Sequence, residues 1–280
     1  MVNEIHSIPT SVYDADKDTG LIFQWRELWD YRELLFFLTW RDVLVRYKQT
    51  VLGVTWALLQ PLLTVLIFSV IFGKFAGLPS DGVPYPLFSL AALLPWQLFS
   101  GALNRAGTSL VGNSNLITKI YFPRLLIPLS AVLAGMIDFG ISFVVFLGLM
   151  LYYRIPITIS ILALPLLIIL ALLTALAVGL WLSALNVQYR DVQYAIPFII
   201  QALMYASPVA YSAQMIPAGL WRYIYGLNPI AGVIQGFRWA LLGSSPPDGL
   251  FIISLIMIIV LFVSGLFYFQ KMEARFADVV

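Results

Sequence analysis

The chain has 280 residues, 61% of them apolar and 11% charged, with a mean hydropathy of +0.90 and a formal net charge of +2. A soluble domain carries about 45–50% apolar and about 25% charged residues, and one soluble core cannot hide the surplus found here. An ordinary cytosolic enzyme, a disordered chain, a coiled coil and a disulfide-rich secreted module are excluded, which leaves an all-α polytopic membrane protein. Cysteine is absent and His6 is the only histidine. Thiol catalysis, iron–sulfur clusters, bis-His haem and a His/Cys metal site therefore drop out, and no metal is expected. The mild charge gives no reason to invoke nucleic acid.

Residues 1–24 read as a polar cytoplasmic tail, and eight of the 14 acidic residues lie within the first 50 positions. No apolar run follows a short basic start, so no cleavable signal peptide is expected. Residues 25–50 read as an interface helix. At about 100° per residue, Val43, Phe36, Tyr47, Trp40, Leu44 and Phe37 share one arc of about 120°. Asp42, Arg46, Gln49, Thr39 and Arg32 fall opposite, Arg41 and Lys48 flank the stripe, and Glu33 is the misfit. This pattern predicts a basic, aromatic-rich amphipathic helix lying along the membrane face, marked by Trp40, Arg41, Arg46, Tyr47 and Lys48. It serves either as a plain anchor or as a helix whose charged face also docks a soluble partner.

Residues 51–270 read as the membrane domain. Six apolar runs, at about 53–73, 87–111, 125–151, 158–185, 193–213 and 249–269, each reach the about 20 residues needed to cross hydrocarbon. Two ionisable groups fall inside them: Arg105 in the second and Asp138 in the third. Such groups are costly unless paired or wetted. Asp138 is read as an interhelical hydrogen-bonding group, a protonated acid or a coupling site, and Arg105 as functional or snorkelling to headgroups. Ala171, Ala175, Gly179 and Ser183 form a smooth stripe at four-residue spacing, which lets another helix approach closely. Trp96, Phe99 and Tyr205 lie deeper than headgroup level. They suit either core packing or a sugar-stacking lining.

Between the second and third runs, Asn113 or Ser114 can cap a short helix that Pro123 closes. It would offer Leu116, Ile117 and Ile120 as knobs, with Lys119 and Arg124 at its edges. The stretch 214–243 is broken by Pro217, Gly219 and Gly226, and Asn228-Pro229 opens a helix of about 14 residues, too short to span. It is read as re-entrant or interfacial. Residues 271–280 read as a second cytoplasmic tail. With six spans both termini share a side, and that side collects 12 of the 16 Lys and Arg residues. The positive-inside rule then places both termini in the cytoplasm and 214–248 outside.

No G-x-x-x-x-G-K-[ST] motif occurs, and Gly73-Lys74 is the only Gly-Lys pair. G-x-S-x-G and H-E-x-x-H are absent too, so no catalytic site is expected and active transport would need energy from another subunit.

The run Arg41-Asp42-Val43-Leu44-Val45-Arg46-Tyr47-Lys48-Gln49-Thr50-Val51-Leu52-Gly53, followed by Trp56-Ala57-Leu58-Leu59-Gln60-Pro61, resembles the start of ABC-2 type polysaccharide-export permeases. Lys119 to Arg124, Leu185 to Val192, Leu227-Asn228-Pro229 and Glu273 to Val279 extend the resemblance over about residues 25–280. It is strongest to the membrane subunits of O-antigen and teichoic-acid exporters. The resemblance implies a homodimer of six-span subunits in the bacterial inner membrane, served by two ABC ATPase subunits that bind ATP and magnesium. This chain would hold no cofactor. The substrate would be a glycan on a polyprenyl diphosphate, in contact with membrane lipids. Asn113, Ser114, Asn115, Leu116, Ile117, Lys119, Tyr121 and Arg124 would couple to the ATPase. Trp96, Phe99, Arg105 and Tyr205 would line the conduit, and Pro217, Trp221, Asn228 and Pro229 would belong to the outer gate. Two alternatives stay open: an ABC-2 permease for drugs or simple lipids, and a proton-coupled transporter using Asp138.

Overall fold

The computed structural model describes residues 25–48, 53–217 and 219–279, so the tail 1–24 and the end of the expected interface helix lie outside the described residues. Every regular element among the described residues is helical. After a short α1 (Trp25–Asp30) come α2 (Arg32–Lys48), α3 (Gly53–Phe68), α4 (Tyr85–Gly112), α5 (Ser114–Ile117), α6 (Leu126–Leu133) and α7 (Gly135–Tyr153). They are followed by α8 (Leu164–Gln188), α9 (Val192–Ala206), α10 (Leu220–Gly226), α11 (Pro229–Leu242) and α12 (Gly249–Val279). A π-helix, Ser69–Phe75, prolongs α3, and a 3-10 turn, Ile159–Ala163, leads into α8.

Among the described residues, five helical runs are long and apolar enough to cross a membrane: Thr55–Phe75, Tyr85–Gly112, Leu126–Tyr153, Ile159–Gln188 and Gly249–Glu273. They match five of the six expected runs to within four residues at either end. The sixth expectation, 193–213, is shortened. Its helix, α9, has 15 residues, about 22 Å at 1.5 Å per residue, against the about 30 Å of a hydrocarbon core. The stop has a local cause. Pro208 disfavours α geometry in the residue before it, and Ser207 is extended at φ −108°, ψ 152°. The segment expected as a C-terminal tail instead continues α12 to Val279.

In lipid, helices gain little from the hydrophobic effect and associate by close packing. The small-residue stripe of α8 serves this purpose. Ala171, Ala175, Gly179 and Ser183 are all buried, and a Cβ on Gly179 would lie 2.8 Å from Ala106 Cβ, so the stripe faces α4. Asn186 adds an amide bond to Gly107 O at 3.1 Å. On its other side α8 meets α12, where a Cβ on Gly265 would lie 2.8 Å from Ala177 O and Trp181 stacks on Tyr268 at 4.5 Å. The 14-residue α11 is wedged among α4, α8 and α12, with ten of its residues buried.

The aromatic rings of the α2 stripe face away from the bundle. Phe36, Phe37, Trp40 and Leu44 are exposed, whereas Leu38 and Val43 are buried and the helix lies on α6. A stripe of exposed aromatic rings beside membrane-crossing helices has lipid as its natural solvent. The side of α2 that meets the bundle is mixed: Leu34 and Leu35 are half-buried beside Leu38 and Val43, while Arg32, Arg46 and Lys48 stay exposed.

The α8–α12 contact yields a prediction. Gly265→Ala should cost about 1–3 kcal/mol by overpacking against a backbone carbonyl. Gly140→Ala, where an added Cβ meets nothing within 4 Å, should be neutral or mildly stabilising. Thermal midpoints of the two variants in detergent check the difference.

Candidate functional site

Helix α4 is buried on nearly all sides, except along Gln97, Ser100, Gly101, Asn104, Arg105 and Thr108. These positions recur at three- and four-residue intervals, so they form one polar stripe along the helix. Helix α7 answers with Gly135, Asp138 and Ser142 at the same period, and α3 contributes Trp56, Ala57, Gln60 and Pro61. Together with the end of α2, the three stripes enclose a cavity of about 610 Å³. One wall is apolar, made by the α3 residues, and the facing walls are polar.

Charge concentrates where α2 reaches the cavity. Arg46 and Arg105 both pair with Asp138 Oδ2, the second at 3.7 Å, and the Tyr47 hydroxyl donates to Asp138 Oδ1 at 2.5 Å. Arg105 is further placed by its Nε, which donates to Ala131 O at 3.0 Å beside the α6–α7 junction. Gly135 makes the space: a Cβ there would stand 2.4 Å from Arg105 Nη2. Burial, then the hydrogen bond to Asp138, pushes the Tyr47 phenol up to about 12, so it remains a donor at physiological pH. Two cations face one carboxylate, and the site keeps one positive charge in excess. Arg46 and Asp138 are each more than a third exposed, so the cluster lies at the open side of the cavity.

Of the residues expected to line a conduit, only Arg105 lies here. Trp96 and Phe99 are 4% and 1% exposed and pack on each other at 5.6 Å, inside the chain's own core. Neither ring borders this cavity. Tyr205 sits on the outer face of α9, 68% exposed and away from the cavity. Among the interface-helix residues, Arg46 and Tyr47 join the cluster, Arg41 turns to Asp42 and Asn113, Trp40 faces outward and Lys48 is exposed.

The loop after α4 differs in form from the expectation. The helix α5 has four residues and ends at Ile117, well short of Pro123. Asn113 caps it without a side-chain bond, because its carboxamide accepts from Arg41 Nη2 and donates to Ser109 O, both at 2.8 Å. Ile117 and Phe122 are buried anchors, and Leu116 is half-buried. Ile117 is therefore not an outward knob. Asn115, Lys119, Ile120 and Tyr121 form the exposed surface, and Ser114 is half-buried. Arg124 grips the end of α12: its backbone N–H donates to Glu273 Oε1 at 3.1 Å and its guanidinium to Glu273 O.

At the opposite end, Pro217 and Trp221 are exposed, and Pro229 starts α11 as expected. Asn228 stands at the cap position, but its amide points elsewhere, to Ala206 O at 3.2 Å and Ser207 Oγ at 2.9 Å, where α9 ends. Arg238 of α11 is 4% exposed, and its guanidinium donates to Tyr211 O and Val209 O, both at 3.0 Å. It also lies 3.6 Å over the Phe88 ring. Burial pulls its pKa down to about 10, which still leaves it cationic at neutral pH.

Sequence reasoning missed Gln60, Gln97, Ser100, Asn104 and Ser142 as cavity residues. The signal was available as polar residues inside apolar runs, in helical register with Arg105 and Asp138. Arg238 gave no comparable signal, because its acceptors, the carbonyls of Val209 and Tyr211, lie in a turn that no side-chain pattern marks.

The family described as ABC-2 type transporter matches residues 33–242. The O-antigen export system permease protein RfbA of Klebsiella pneumoniae is 29% identical over 249 residues, covering 89% of this chain and 95% of that protein. The protein of the same name from Myxococcus xanthus is 27% identical over 256 residues, covering 90% and 97%. The polysialic acid transport protein KpsM of Escherichia coli is 25% identical over 244 residues, covering 84% and 92%.

Replacing Arg238 removes two charge-assisted bonds, each worth about 1.5–3 kcal/mol, and strands two buried carbonyls. Arg238→Gln should therefore lower the thermal midpoint strongly. Arg238→Lys should not restore it, since an ammonium cannot bridge both carbonyls while lying flat on Phe88.

Proposed function

The chain belongs to the ABC-2 type transporter family, and on that premise we propose that it is the permease subunit of an ATP-driven exporter of lipid-linked, O-antigen-like polysaccharide. The observation that carries this reading is the cavity of α3, α4 and α7. It joins a surplus cation and a row of amide and hydroxyl groups to an apolar wall beside lipid. A polyprenyl diphosphate glycan has the matching parts: an anionic headgroup, a polyol and an apolar tail. The names of the relatives, an O-antigen export permease and a polysialic acid transport protein, support the same substrate class.

In this reading the protein lies in the bacterial inner membrane as a homodimer of six-span subunits. Helix α9 with the turn after it makes the fifth span, and α10 and α11 dip in from outside as the outer gate, with Pro217, Trp221, Asn228 and Pro229 at its hinges. Both termini face the cytoplasm. Two ABC ATPases, which carry the ATP and magnesium, dock on the α2 end of the bundle against Asn115, Lys119 and Tyr121. Asn113 and Arg124 tie that loop to α2 and α12, so a push on it reaches two further helices. The engagement of Asp138 by Arg46 and Tyr47 favours a binding role over proton coupling.

The test is ATP hydrolysis by the chain reconstituted with its ATPase in liposomes, titrated with the polyprenyl diphosphate glycan. Arg105→Gln should raise the half-stimulating concentration by about tenfold, the loss expected for one charge-assisted contact. A stimulation curve that does not move would overturn the reading.

A further inference from the structure

We propose that Asp138 is the resident anion of a phosphate seat, holding the donors of Arg46, Tyr47 and Arg105 in place until the phosphate of a lipid displaces it. The inference rests on the transport reading only for the identity of the lipid. Its geometry is independent of that reading. Three donors carried by two different helices, α2 and α4, converge on the two oxygens of one side chain of α7. The diphosphate of a prenyl-linked glycan offers four non-bridging oxygens and two negative charges, against two oxygens and one charge for the carboxylate. The donor set therefore answers a phosphate more fully than it answers Asp138.

The carboxylate has a second consequence. Two guanidiniums facing each other without an anion would repel, and the site would admit any small anion that relieved them. Asp138 relieves them internally. A ligand has to outcompete a carboxylate that is already in place, and this discriminates against weak, singly charged anions by raising their cost. The exchange is possible because Arg46 and Asp138 sit at the open side of the cavity, each more than a third exposed, so the pair can part without burying a lone charge. The cavity behind the pair, about 610 Å³, leaves room for a headgroup.

The apolar wall selects the source of the phosphate. Trp56, Ala57 and Pro61 flank the cluster, and the outward face of α3 beyond them exposes Leu59, Leu62, Leu63 and Leu66. A prenyl chain can stay in the hydrocarbon beside that face while its phosphate enters the seat, and this tether holds the headgroup at the cavity mouth, which free phosphate lacks.

The test uses the purified full-length chain in nanodiscs, without ATPase or glycan, titrated with farnesyl diphosphate and separately with inorganic pyrophosphate. Asp138→Asn should bind farnesyl diphosphate about tenfold more tightly than the unaltered chain, because the competitor is gone while the donors remain. Asp138→Ser should shift in the same direction, giving a second neutral side chain should the first impair folding. Asp138→Glu, which keeps the charge, should show no such gain. Arg46→Gln should weaken binding about tenfold. Ligand-induced rises in thermal midpoint provide the parallel readout. Neutral variants that bind no more tightly than the unaltered chain, or an Asp138→Glu variant that tightens equally, would overturn the seat. Pyrophosphate binding as tightly as farnesyl diphosphate would overturn its assignment to a lipid. Failure of the reconstituted complex to export glycan would remove the transport reading and leave the seat standing.

Discussion

A carboxylate set within an apolar membrane-crossing run must be answered by cations or hydrogen bonds, since an isolated ion there costs several kcal/mol. Asp138 is answered by residues from α2 and α4, and much of the architecture at that end of the bundle serves the encounter. Helix α2 is seated on the bundle by Leu38 and Val43, and its C-terminal end brings Arg46 and Tyr47 to α7. Its apolar rings are thereby turned outward, toward lipid. Gly135 stands where it does because the Arg105 guanidinium occupies the space a side chain would need. The polar stripe on α4 then borders the cluster and sets the depth of the cavity.

The same end of the molecule shows how a short loop can gain mechanical purchase. A four-residue helix such as α5 has little stability of its own. The loop is held instead by its two ends, Asn113 to Arg41 of α2 and Arg124 to Glu273 of α12, with Ile117 and Phe122 buried between them. Displacing it must move α2 or α12 or break one of these ties. Because α2 also carries Arg46, the loop and the ion cluster share a rigid element. In the proposed exporter, a movement at the ATPase-facing loop and an exchange of anions at Asp138 would be coupled through that one helix.

Hydropathy made five membrane-crossing runs legible almost to the residue, because a long apolar stretch admits few other structures. The sixth was misjudged in length, since composition alone does not register that Pro208 ends a helix at its predecessor. The small-residue stripe of α8 was legible as a packing face, though its partner, α4, was not. The aromatic stripe of α2 was legible as an outward face, but the meeting of Arg46 and Tyr47 with α7 was not, because amphipathic periodicity tells which residues share a face and not which group on another helix they meet. Arg46 finds its anion on a helix nearly a hundred residues away in sequence. Such pairings depend on topology and leave no local periodic trace. Trp96 and Phe99 illustrate the reverse difficulty: an aromatic ring in a span reads the same whether it lines a passage or fills a core.

The two well-buried arginines show why surroundings, more than residue type, decide what a membrane-embedded cation can do. Arg238 is closed in. Two backbone carbonyls and the Phe88 ring hold it, and these partners cannot leave without unravelling the turn after α9. A guanidinium so engaged fastens α11 to that turn, and it has little left to offer a ligand. Arg105 has one backbone partner and one side-chain partner, and it faces a cavity. Its side-chain partner, Asp138, sits on a single rotatable arm at the cavity's open side, so the contact can be exchanged at modest cost. The same chemical group therefore works as a pin at one end of the bundle and as an exchangeable contact at the other, and the difference lies in whether its anion or acceptor is free to move.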